Sequence, residues 1–416
     1  MVVDSGNMLD SRAISDKFVA CKPKIVKMIN LLFFILCLVT CSTGHKVDGT
    51  HSTFNEDLEL ERQLKQINKT PIKSIHTKFG DIVDCIDIYK QPAFDHPLLK
   101  NHKLQIKPSF QKKFENSSIK NSSNKLIPGI EKFWCPTGTV PIRRITKDDL
   151  IRAKALLYNQ TLLTQNKLVT HVARVSLKKI PGSPYYGVSG TNSIWNPRVS
   201  KGQTSSSNFW VRNGEGSVTN KITIGWQVSP QLYGDTATHL YSYWTSDDSK
   251  RTGCYNTLCP GFIQTHSEYA IGVRVKHTSV YGGDMYEMKV SIFKDRKTKN
   301  WMVNIEDQTI GYFPAALFSN LDAASQVGWG GRTLTPAGTP SPAMGSGQFP
   351  DNFFDHACYF RQVSYRDKFL RDTKPGTNLV EEFTDVPKCY RVDHHDTSDK
   401  KLFGYNVHVG GPGGAC

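Results

Sequence analysis

The chain has 416 residues, 38% of them hydrophobic, and a formal net charge of +15 at pH 7. A chain of this length exceeds the size at which single cores stop growing, so we expect two ordered regions. The positive charge is spread over both halves without a nucleic-acid recognition motif. We therefore expect no nucleic-acid partner, and favour adhesion to an acidic polysaccharide or a membrane surface.

Residues 1–44 have the pattern of a leader that contains a signal peptide. Lysines between residues 17 and 27 precede an apolar run at 31–39, and small residues follow it. The run is too short to span a bilayer, and no later segment approaches the roughly twenty apolar residues of a membrane helix. Because Met28 opens a signal of ordinary length, the residues before it are an extended leader or a gene-model artefact. We expect a secreted, extracellular protein without a membrane span.

Residues 45–175 are polar and mixed, and we interpret them as a basic pro-region. An amphipathic segment at 58–67 and helical spacing at 148–165, preceded by Thr146 as a cap, predict helices. A compact stretch at 80–89 predicts a short strand. The N-glycosylation sequence occurs at four positions, all before residue 170, which indicates a glycan-bearing surface: Asn68, Asn116, Asn121 and Asn159.

Residues 176–416 form the second predicted domain, in which the pattern changes to alternation from about Tyr185. Ile222 and Trp226 fall on one side of a predicted strand, and Thr223 and Gln227 fall on the other. Many such short strands, separated by Gly, Asn, Asp and Pro, predict an all-β fold. The expected architecture is an antiparallel sandwich or barrel behind a small mixed pro-region.

Seven cysteines remain once the leader is removed, in an oxidising compartment that favours disulfides. Sequence alone does not fix their connectivity, but their positions favour three pairs: Cys254 with Cys259, Cys389 with Cys416, and Cys85 with Cys135. Cys358 is left over in an aromatic run, where a buried inert thiol is expected. The adjacent His394 and His395 point to opposite faces of a strand and lack zinc-ligand spacing, so we expect no metal.

Several segments carry a specific resemblance to the plant neprosin family. Residues 81–98, with the sequence Asp-Cys-Ile-Asp-Ile-Tyr at 84–89, and Cys-Pro-Thr-Gly-Thr at 135–139 resemble its activation peptide. Later segments resemble its peptidase domain, among them Gly-Trp-Gln-Val at 225–228, Trp-Gly-Gly at 329–331, Met-Gly-Ser-Gly at 344–347 and Gly-Gly-Pro-Gly at 410–413. The resemblance covers nearly everything after residue 50.

The resemblance implies a secreted plant glutamic peptidase that is made as a zymogen, acts at acidic pH and cleaves next to proline. It implies a β-sandwich with an active-site groove on one concave face, and no metal or organic cofactor. The family mechanism uses two glutamates, one as general base on the attacking water and one as acid and oxyanion partner. Carboxylates held close together split their pKa values, so one of them stays protonated.

This chain departs from the family pattern at both glutamates. The first family position, three residues before the tryptophan of Gly-Trp, is Thr223, and the second, directly after Trp-Gly-Gly, is Arg332. Alternation places both side chains in the groove, where neither can replace a carboxylate as acid or base. No catalytic residue is intact, so the sequence predicts a non-catalytic relative that binds a ligand or associates with the cell wall.

The residues expected to line the groove are Thr223, Gln227, Trp244 and Arg332. The expected ligands are proline-rich peptides or acidic polysaccharides, since Arg332 adds a cation able to hold a carboxylate or sulfate. A further interpretation is a structural protein whose groove has no ligand. The sequence does not indicate an oligomeric state. The alternative function is an active acidic endopeptidase that uses other carboxylates, each of which is more simply a strand-end or turn residue: Glu215, Asp235, Asp284, Glu287 and Glu306.

Overall fold

The computed structural model describes residues 48–109, 126–161, 168–397 and 402–416. The predicted leader, Asn116, Asn121 and the side chain of Asn159 lie outside the described residues. The chain divides into two units, residues 1–59 and 60–416, and the described part of the first is the beginning of one helix. None of the helices in the described ranges is long and apolar enough to cross a membrane.

The α-helices of the described ranges are α1 (Asp48–Ile67), α2 (Lys147–Thr161) and α3 (Pro230–Tyr233). The strands, in chain order, are β1 (Lys73–His76), β2 (Ile82–Asp87), β3 (Leu126–Pro128), β4 (Thr139–Arg143), β5 (Leu168–Leu177), β6 (Gly187–Ser193), β7 (Thr204–Asn213), β8 (Asn220–Val228), β9 (Thr238–Thr245), β10 (Cys254–Tyr255), β11 (Ile263–Gln264), β12 (Met285–Lys294), β13 (Trp301–Ile305), β14 (Gln308–Phe313), β15 (Gln326–Pro336), β16 (Cys358–Arg366), β17 (Asp372–Thr373), β18 (Val380–Thr384), β19 (Arg391–Asp396) and β20 (Tyr405–Gly410).

The predicted helix after Thr146 forms as α2, with the cap that the sequence indicated. The Thr146 hydroxyl accepts a hydrogen bond from the Asp149 amide at 3.1 Å, and the Asp149 carboxylate accepts one from the Thr146 amide at 3.0 Å. This reciprocal pair satisfies backbone donors that a helix leaves open at its start.

Most strands belong to two sheets that pack face to face. The seven-stranded sheet has the order β10-β9-β8-β7-β15-β5-β18. The ten-stranded sheet has the order β11-β14-β13-β12-β6-β16-β20-β19, with β17 beside β16 and β3 beside β12. Every pairing in these sheets is antiparallel except that of β3. A separate three-stranded sheet, β1-β2-β4, belongs to the pro-region. The predicted all-β sandwich behind a small mixed pro-region is confirmed.

The main core lies between the two large sheets and contains aromatic side chains from both. Trp226 and Trp329 are fully buried, and each donates its indole N–H to a carbonyl of β6, at 2.8 Å and 3.1 Å. Phe209 of β7 meets Phe360 of β16 edge to face, with ring centroids 5.1 Å apart. Because a buried N–H without a partner is costly, the two indole bonds set where β6 lies against the opposite sheet.

Strand β5 belongs to the sandwich, although it directly follows the pro-region helix. It lies between β15 and β18, and it points Ala173, Val175 and Leu177 into the core. The predicted domain boundary at residue 175 therefore falls inside a strand.

Three disulfides form in the described chain, and they join the pairs that position favoured. Cys85–Cys135 lies within the pro-region, whereas Cys254–Cys259 and Cys389–Cys416 lie within the sandwich. Among the described residues no disulfide therefore crosses between the two parts. Cys358 is free, and burial raises its pKa to about 12, which makes the thiol inert.

Asn68, the first potential glycosylation site, is half-buried. Its side-chain amide donates to the Ile145 carbonyl at 2.6 Å, and its oxygen accepts from the Ile145 amide at 2.9 Å. A glycosylated asparagine keeps one N–H that could still make the first bond, so glycosylation at Asn68 stays a prediction.

Candidate functional site

The seven-stranded sheet has one side in the main core and an opposite side that we call the outer face. On β8, Ile222, Ile224 and Trp226 point into the core, and Thr223 and Gln227 lie on the outer face. Successive side chains of a strand alternate between its two faces, which is why the sequence pattern predicted this arrangement. The residue pairing between neighbouring strands then shows which residues of the other strands lie on the outer face.

The outer face carries hydroxyl, amide, aromatic and cationic side chains. Across the seven strands, all within the described ranges, its only carboxylate is that of Glu381 on the edge strand β18, opposite Ser176. The outer-face residues of the five central strands are Leu168, Thr170, Val172, Arg174, Ser176, Thr204, Ser206, Asn208, Trp210, Arg212, Lys221, Thr223, Gly225, Gln227, His239, Tyr241, Tyr243, Thr245, Gln326, Gly328, Gly330, Arg332, Leu334 and Pro336.

Thr223 and Arg332 both lie on the outer face, on the two strands that flank β7. Thr223 is 5% exposed and pairs with Trp210 on one side and Tyr243 on the other. Arg332 is half-buried, and its Nη2 lies 3.5 Å from the Thr170 hydroxyl. The axes of the two strands are about 10 Å apart. The sheet thus brings together a hydroxyl and a permanent cation, neither of which can act as a general acid or base at acidic pH.

Gln227 lies on the outer face, but Trp244 does not. Gln227 is 3% exposed, and its Oε1 is buried without a hydrogen-bond partner in the described chain. Trp244 pairs with Ile222 and lies in the main core, edge-on to Phe318 with centroids 5.9 Å apart. The expectation that Trp244 lines the groove is wrong, because directly paired residues share a face and Ile222 faces the core.

Arg332 belongs to a group of four cations on the outer face, with Arg174, Arg212 and Lys221, which we call the cationic cluster. The Arg174 Cζ lies 5.6 Å and the Lys221 Nζ 5.8 Å from the centroid of the Trp210 indole, within the range of cation–π attraction. The sequence analysis missed three of the four. Alternation along β5, β7 and β8 was the signal for their orientation, but their proximity depends on strand order.

Lys221 is the member of the cluster whose pKa is shifted furthest from its ordinary value. Burial, followed by the positive charges of Arg332, Arg212 and Arg174, lowers its pKa to about 7, against a weak opposing effect of Asp248. Burial and a neighbouring like charge both disfavour the ionised form of an ammonium group. The surroundings of Lys221 therefore lack the counter-anion that its charge requires.

Replacing Lys221 with methionine is expected to stabilise the protein at acidic pH. The unfolded lysine has a pKa of about 10.4, so between about pH 7 and 10 the unfolded state binds more protons and wild-type stability rises with pH. Below pH 7 Lys221 is protonated in both states, so the folded state bears the full free-energy cost of the buried charge. Allowing for its partial exposure, we expect Lys221→Met to raise the free energy of unfolding by about 1–3 kcal/mol near pH 5.

Denaturant unfolding at about pH 5 and pH 10 measures this effect, which should largely vanish at the higher pH. The matched control is Lys250→Met, a change at an exposed lysine beyond β9, which should alter stability at neither pH. A gain of equal size at both pH values would contradict the assignment.

The pro-region helix α2 packs on one end of the outer face. Ala153 and Leu156 form a buried cluster with Tyr241, Tyr255 and Leu334. Since Tyr241 and Leu334 are outer-face residues, a ligand reaches this end only if α2 moves away. In the intact chain the outer face is therefore partly covered.

A buried ion network anchors the beginning of α2. Asp149 is 2% exposed and lies 3.2 Å from Arg143 Nη1 and 2.6 Å from Arg152 Nη2. Burial acts to raise the pKa of Asp149, but the Arg143 charge and hydrogen bonds from Thr146 outweigh it and hold that pKa below its usual range. The network therefore contributes stability that is lost as pH falls through the folded-state pKa of Asp149.

Three of the alternative carboxylates lie in exposed loops and turns. Glu215 pairs with Lys179 at 2.9 Å in the loop after β7, and Asp284 is exposed in the turn before β12. Asp235 accepts a hydrogen bond from the Ala237 amide at 2.9 Å and so caps its own turn. Glu215 and Asp284 are ordinary turn residues, whereas Asp235 also lies 3.1 Å from Nε2 of the outer-face His239.

The remaining two alternatives are Glu287 on β12 of the ten-stranded sheet and Glu306 in one of its turns. Glu287 is 5% exposed, lies 2.7 Å and 2.8 Å from two nitrogens of Arg361, and accepts a hydrogen bond from the Tyr359 hydroxyl at 2.6 Å. Glu306 lies in the turn between β13 and β14, and burial is the main cause that raises its pKa to about 7. Because Arg361 engages both oxygens of Glu287, this carboxylate has a structural role.

In the described ranges, no group of three or more His, Cys, Asp or Glu side chains is arranged to hold a metal ion. His394 instead bonds the Tyr405 hydroxyl at 2.6 Å and lies 3.3 Å from Glu382.

Comparison with known families matches both parts of the chain. The family model described as Neprosin matches residues 201–412, and the one described as Neprosin activation peptide matches residues 74–172. Among solved structures, the chain is similar to scytalido-glutamic peptidase bound to a peptide-based transition-state analogue, at 10% identity over 58% of this chain and 98% of that chain, with a TM-score of 0.35. A second structure of that peptidase, with a transition-state analogue inhibitor, matches over the same shares at 10% identity with a TM-score of 0.33. CG-16, a homodimeric agglutinin from chicken liver, matches at 9% identity over 41% of this chain and 96% of that chain, with a TM-score of 0.21.

Proposed function

This chain belongs to the neprosin family, and we propose that it is a member whose outer face binds a ligand without hydrolysing it. The observation that carries the proposal is the composition of that face. Every outer-face side chain on the five central strands, all of them described, is uncharged, cationic or a histidine. The positions at which the family resemblance places the glutamates hold Thr223 and Arg332.

Hydrolysis by two glutamates needs one carboxylate to take a proton from water and another to donate one. Thr223 does neither near acidic pH, and Arg332 stabilises negative charge without transferring a proton. Glu381, the remaining outer-face carboxylate, lies on β18, four strands from Thr223 in the sheet order, or about 19 Å. It is too distant to act on the same scissile carbonyl.

The proposed setting is extracellular. The leader pattern and the three disulfides support a secreted precursor, with the plant apoplast or cell wall as its location and Asn116, Asn121 and Asn159 as glycosylation sites. Removal of the pro-region would uncover the end of the outer face that α2 occupies. The pro-region would then control access to a binding groove, as it would control access to an active site in a catalytic relative.

Acid incubation of the purified full chain is expected to release no sandwich domain by self-cleavage. The reason is the lack of a carboxylate pair on the outer face. Gel electrophoresis and mass spectrometry between about pH 2.5 and 6 would detect a cut between α2 and β5 or shortly after β5, and a proline-containing peptide in the same mixture would report cleavage in trans. An added acid protease serves as the control that the chain can be cut there.

A product in protease-free material would contradict the proposal. The variant Glu287→Gln with Glu306→Gln then identifies the source of the activity. Loss of cleavage in this variant, with folding retained, would favour the alternative of an acidic endopeptidase that uses other carboxylates.

A further inference from the structure

The cationic cluster lacks counter-anions. Among the described residues, no member of the cluster forms an ion pair with a carboxylate, whereas a buried arginine elsewhere, Arg361, binds Glu287 through two nitrogens. Asp248 and Glu381 attract Lys221 and Arg174 only at longer range. Four cations gathered without partners are unfavourable unless an anion joins them.

The arginines of the cluster also have few hydrogen-bond acceptors within the described chain. The Nε of Arg174 is buried without a partner in the described chain. Arg212 donates to the carbonyl of Gly214, two residues along, at 3.3 Å, and Arg332 reaches Thr170 only at 3.5 Å. Unpaired buried donors cost free energy. An acceptor that binds among these groups therefore gains more binding free energy than it would on an ordinary surface.

We propose that the cationic cluster binds the carboxylate or sulfate group of an acidic polysaccharide on the outer face. This inference rests on the proposed function and names the ligand class of the same groove. One oxyanion accepts several charge-assisted hydrogen bonds from guanidinium groups, whose planar forks match its oxygens. It also replaces repulsion among the cations with attraction.

The surroundings of the cluster fit a hydroxyl-rich polymer better than an acidic peptide. Thr223, Tyr243 and Gln326 border it with uncharged polar groups. A peptide would need apolar pockets or a free strand edge. The outer-face residues Tyr241 and Leu334 lie under α2, and Arg174 and Lys221 already contact the Trp210 indole. The net charge of +15 further favours association with a polyanion.

Three members of the cluster, Arg174, Arg212 and Lys221, lie away from the contacts of α2, whereas Arg332 is two residues from Leu334 on β15. Leu334, which α2 covers, pairs with Thr204 at the start of β7, whereas Arg212 lies near the end of β7 and pairs with Lys221. Binding is therefore expected in the uncleaved chain, so the test needs no activation step.

Binding should also depend on pH through Lys221, which faces Arg174, Arg212, Arg332 and Asp248. With a folded-state pKa of about 7, Lys221 gains its proton as pH falls from about 8 to 6, and affinity for an anion rises. Tyr243, with its raised pKa, stays neutral over this range. A polyuronate loses charge again near about pH 4, as its carboxylates protonate, whereas a sulfated polymer does not.

The test is calorimetric titration of the full chain with oligogalacturonate, a sulfated dextran oligomer, inorganic sulfate and a polyglutamate peptide of equal charge. We expect either polysaccharide to bind more tightly than the peptide or the free ion. Arg174→Gln, Arg212→Gln and Lys221→Met should each weaken binding by about tenfold, the loss of one charge-assisted hydrogen bond. Lys221→Met should also remove the rise in affinity between about pH 8 and 6.

Arg391→Gln, a change at an exposed arginine on β19 of the other sheet, is the matched control and should bind like the wild type. If Arg174→Gln fails to fold, the half-buried Arg212 provides the same readout. Absence of polysaccharide binding, equal binding by the cluster variants, or tighter binding of polyglutamate would each overturn the inference. None of these results would bear on the proposed lack of catalysis. Only peptide cleavage by the wild type would contradict that proposal.

Discussion

Replacing Thr223 and Arg332 together with glutamate is expected to give the protein endopeptidase activity at acidic pH, where the wild type has none. The change places two carboxylates on the strands that flank β7 and removes one member of the cationic cluster. General acid–base catalysis typically contributes about 10²–10⁴-fold, so we expect cleavage of a proline-containing peptide at least about a hundredfold above the wild-type rate. Arg174, Arg212 and Lys221 would favour ionised glutamates and shift the activity to low pH.

The assay follows peptide products by mass spectrometry between about pH 2.5 and 6. A protease site engineered between α2 and β5 allows the pro-region to be cut, so that α2 no longer covers the outer face. The matched control, Thr223→Gln with Arg332→Gln, has side chains of the same size without carboxylates and should stay inactive. If the glutamate variant melts like the wild type and remains inert, the groove differs from that of a catalytic relative at more than two residues.

Replacing Arg361 with glutamine is expected to cause the largest loss of stability. The change leaves the buried Glu287 with the Tyr359 hydroxyl as its remaining side-chain hydrogen-bond donor among the described residues. An uncompensated buried charge typically costs about 3–5 kcal/mol, so the free energy of unfolding should fall by that amount. Denaturant unfolding near neutral pH measures it.

Arg366→Gln is the matched control, because Arg366 lies on the same strand and pairs with Asp372 near the surface, at 3.1 Å. It should cost less than about 1 kcal/mol. The double variant Arg361→Met with Glu287→Gln should regain much of the loss, since it removes both charges. A stable Arg361→Gln protein would instead mean that Glu287 does not need its partner, and would reopen a catalytic role for Glu287.

Local signals in the sequence predicted the elements on which the site is built. Thr146 before the helical spacing predicted the start of α2, because a cap is a local signal next to the first turn. Alternation predicted that Thr223 and Gln227 lie opposite Ile222. The expected groove position of Trp244 was wrong, since the face on which a β9 side chain lies is set by the pairing of β9 with β8 and cannot be obtained from either strand alone.

The sequence by itself determined the all-β class, the disulfide candidates, and the absence of glutamate at positions 223 and 332. The tertiary structure decided which cations lie near enough to affect one another's charge. Arg174, Arg212, Lys221 and Arg332 come from four strands whose order in the sheet, β8-β7-β15-β5, does not follow the chain. Side-chain orientation follows from the two-residue period of each strand, but proximity follows from long-range pairing, which depends on burying both sheets against one core.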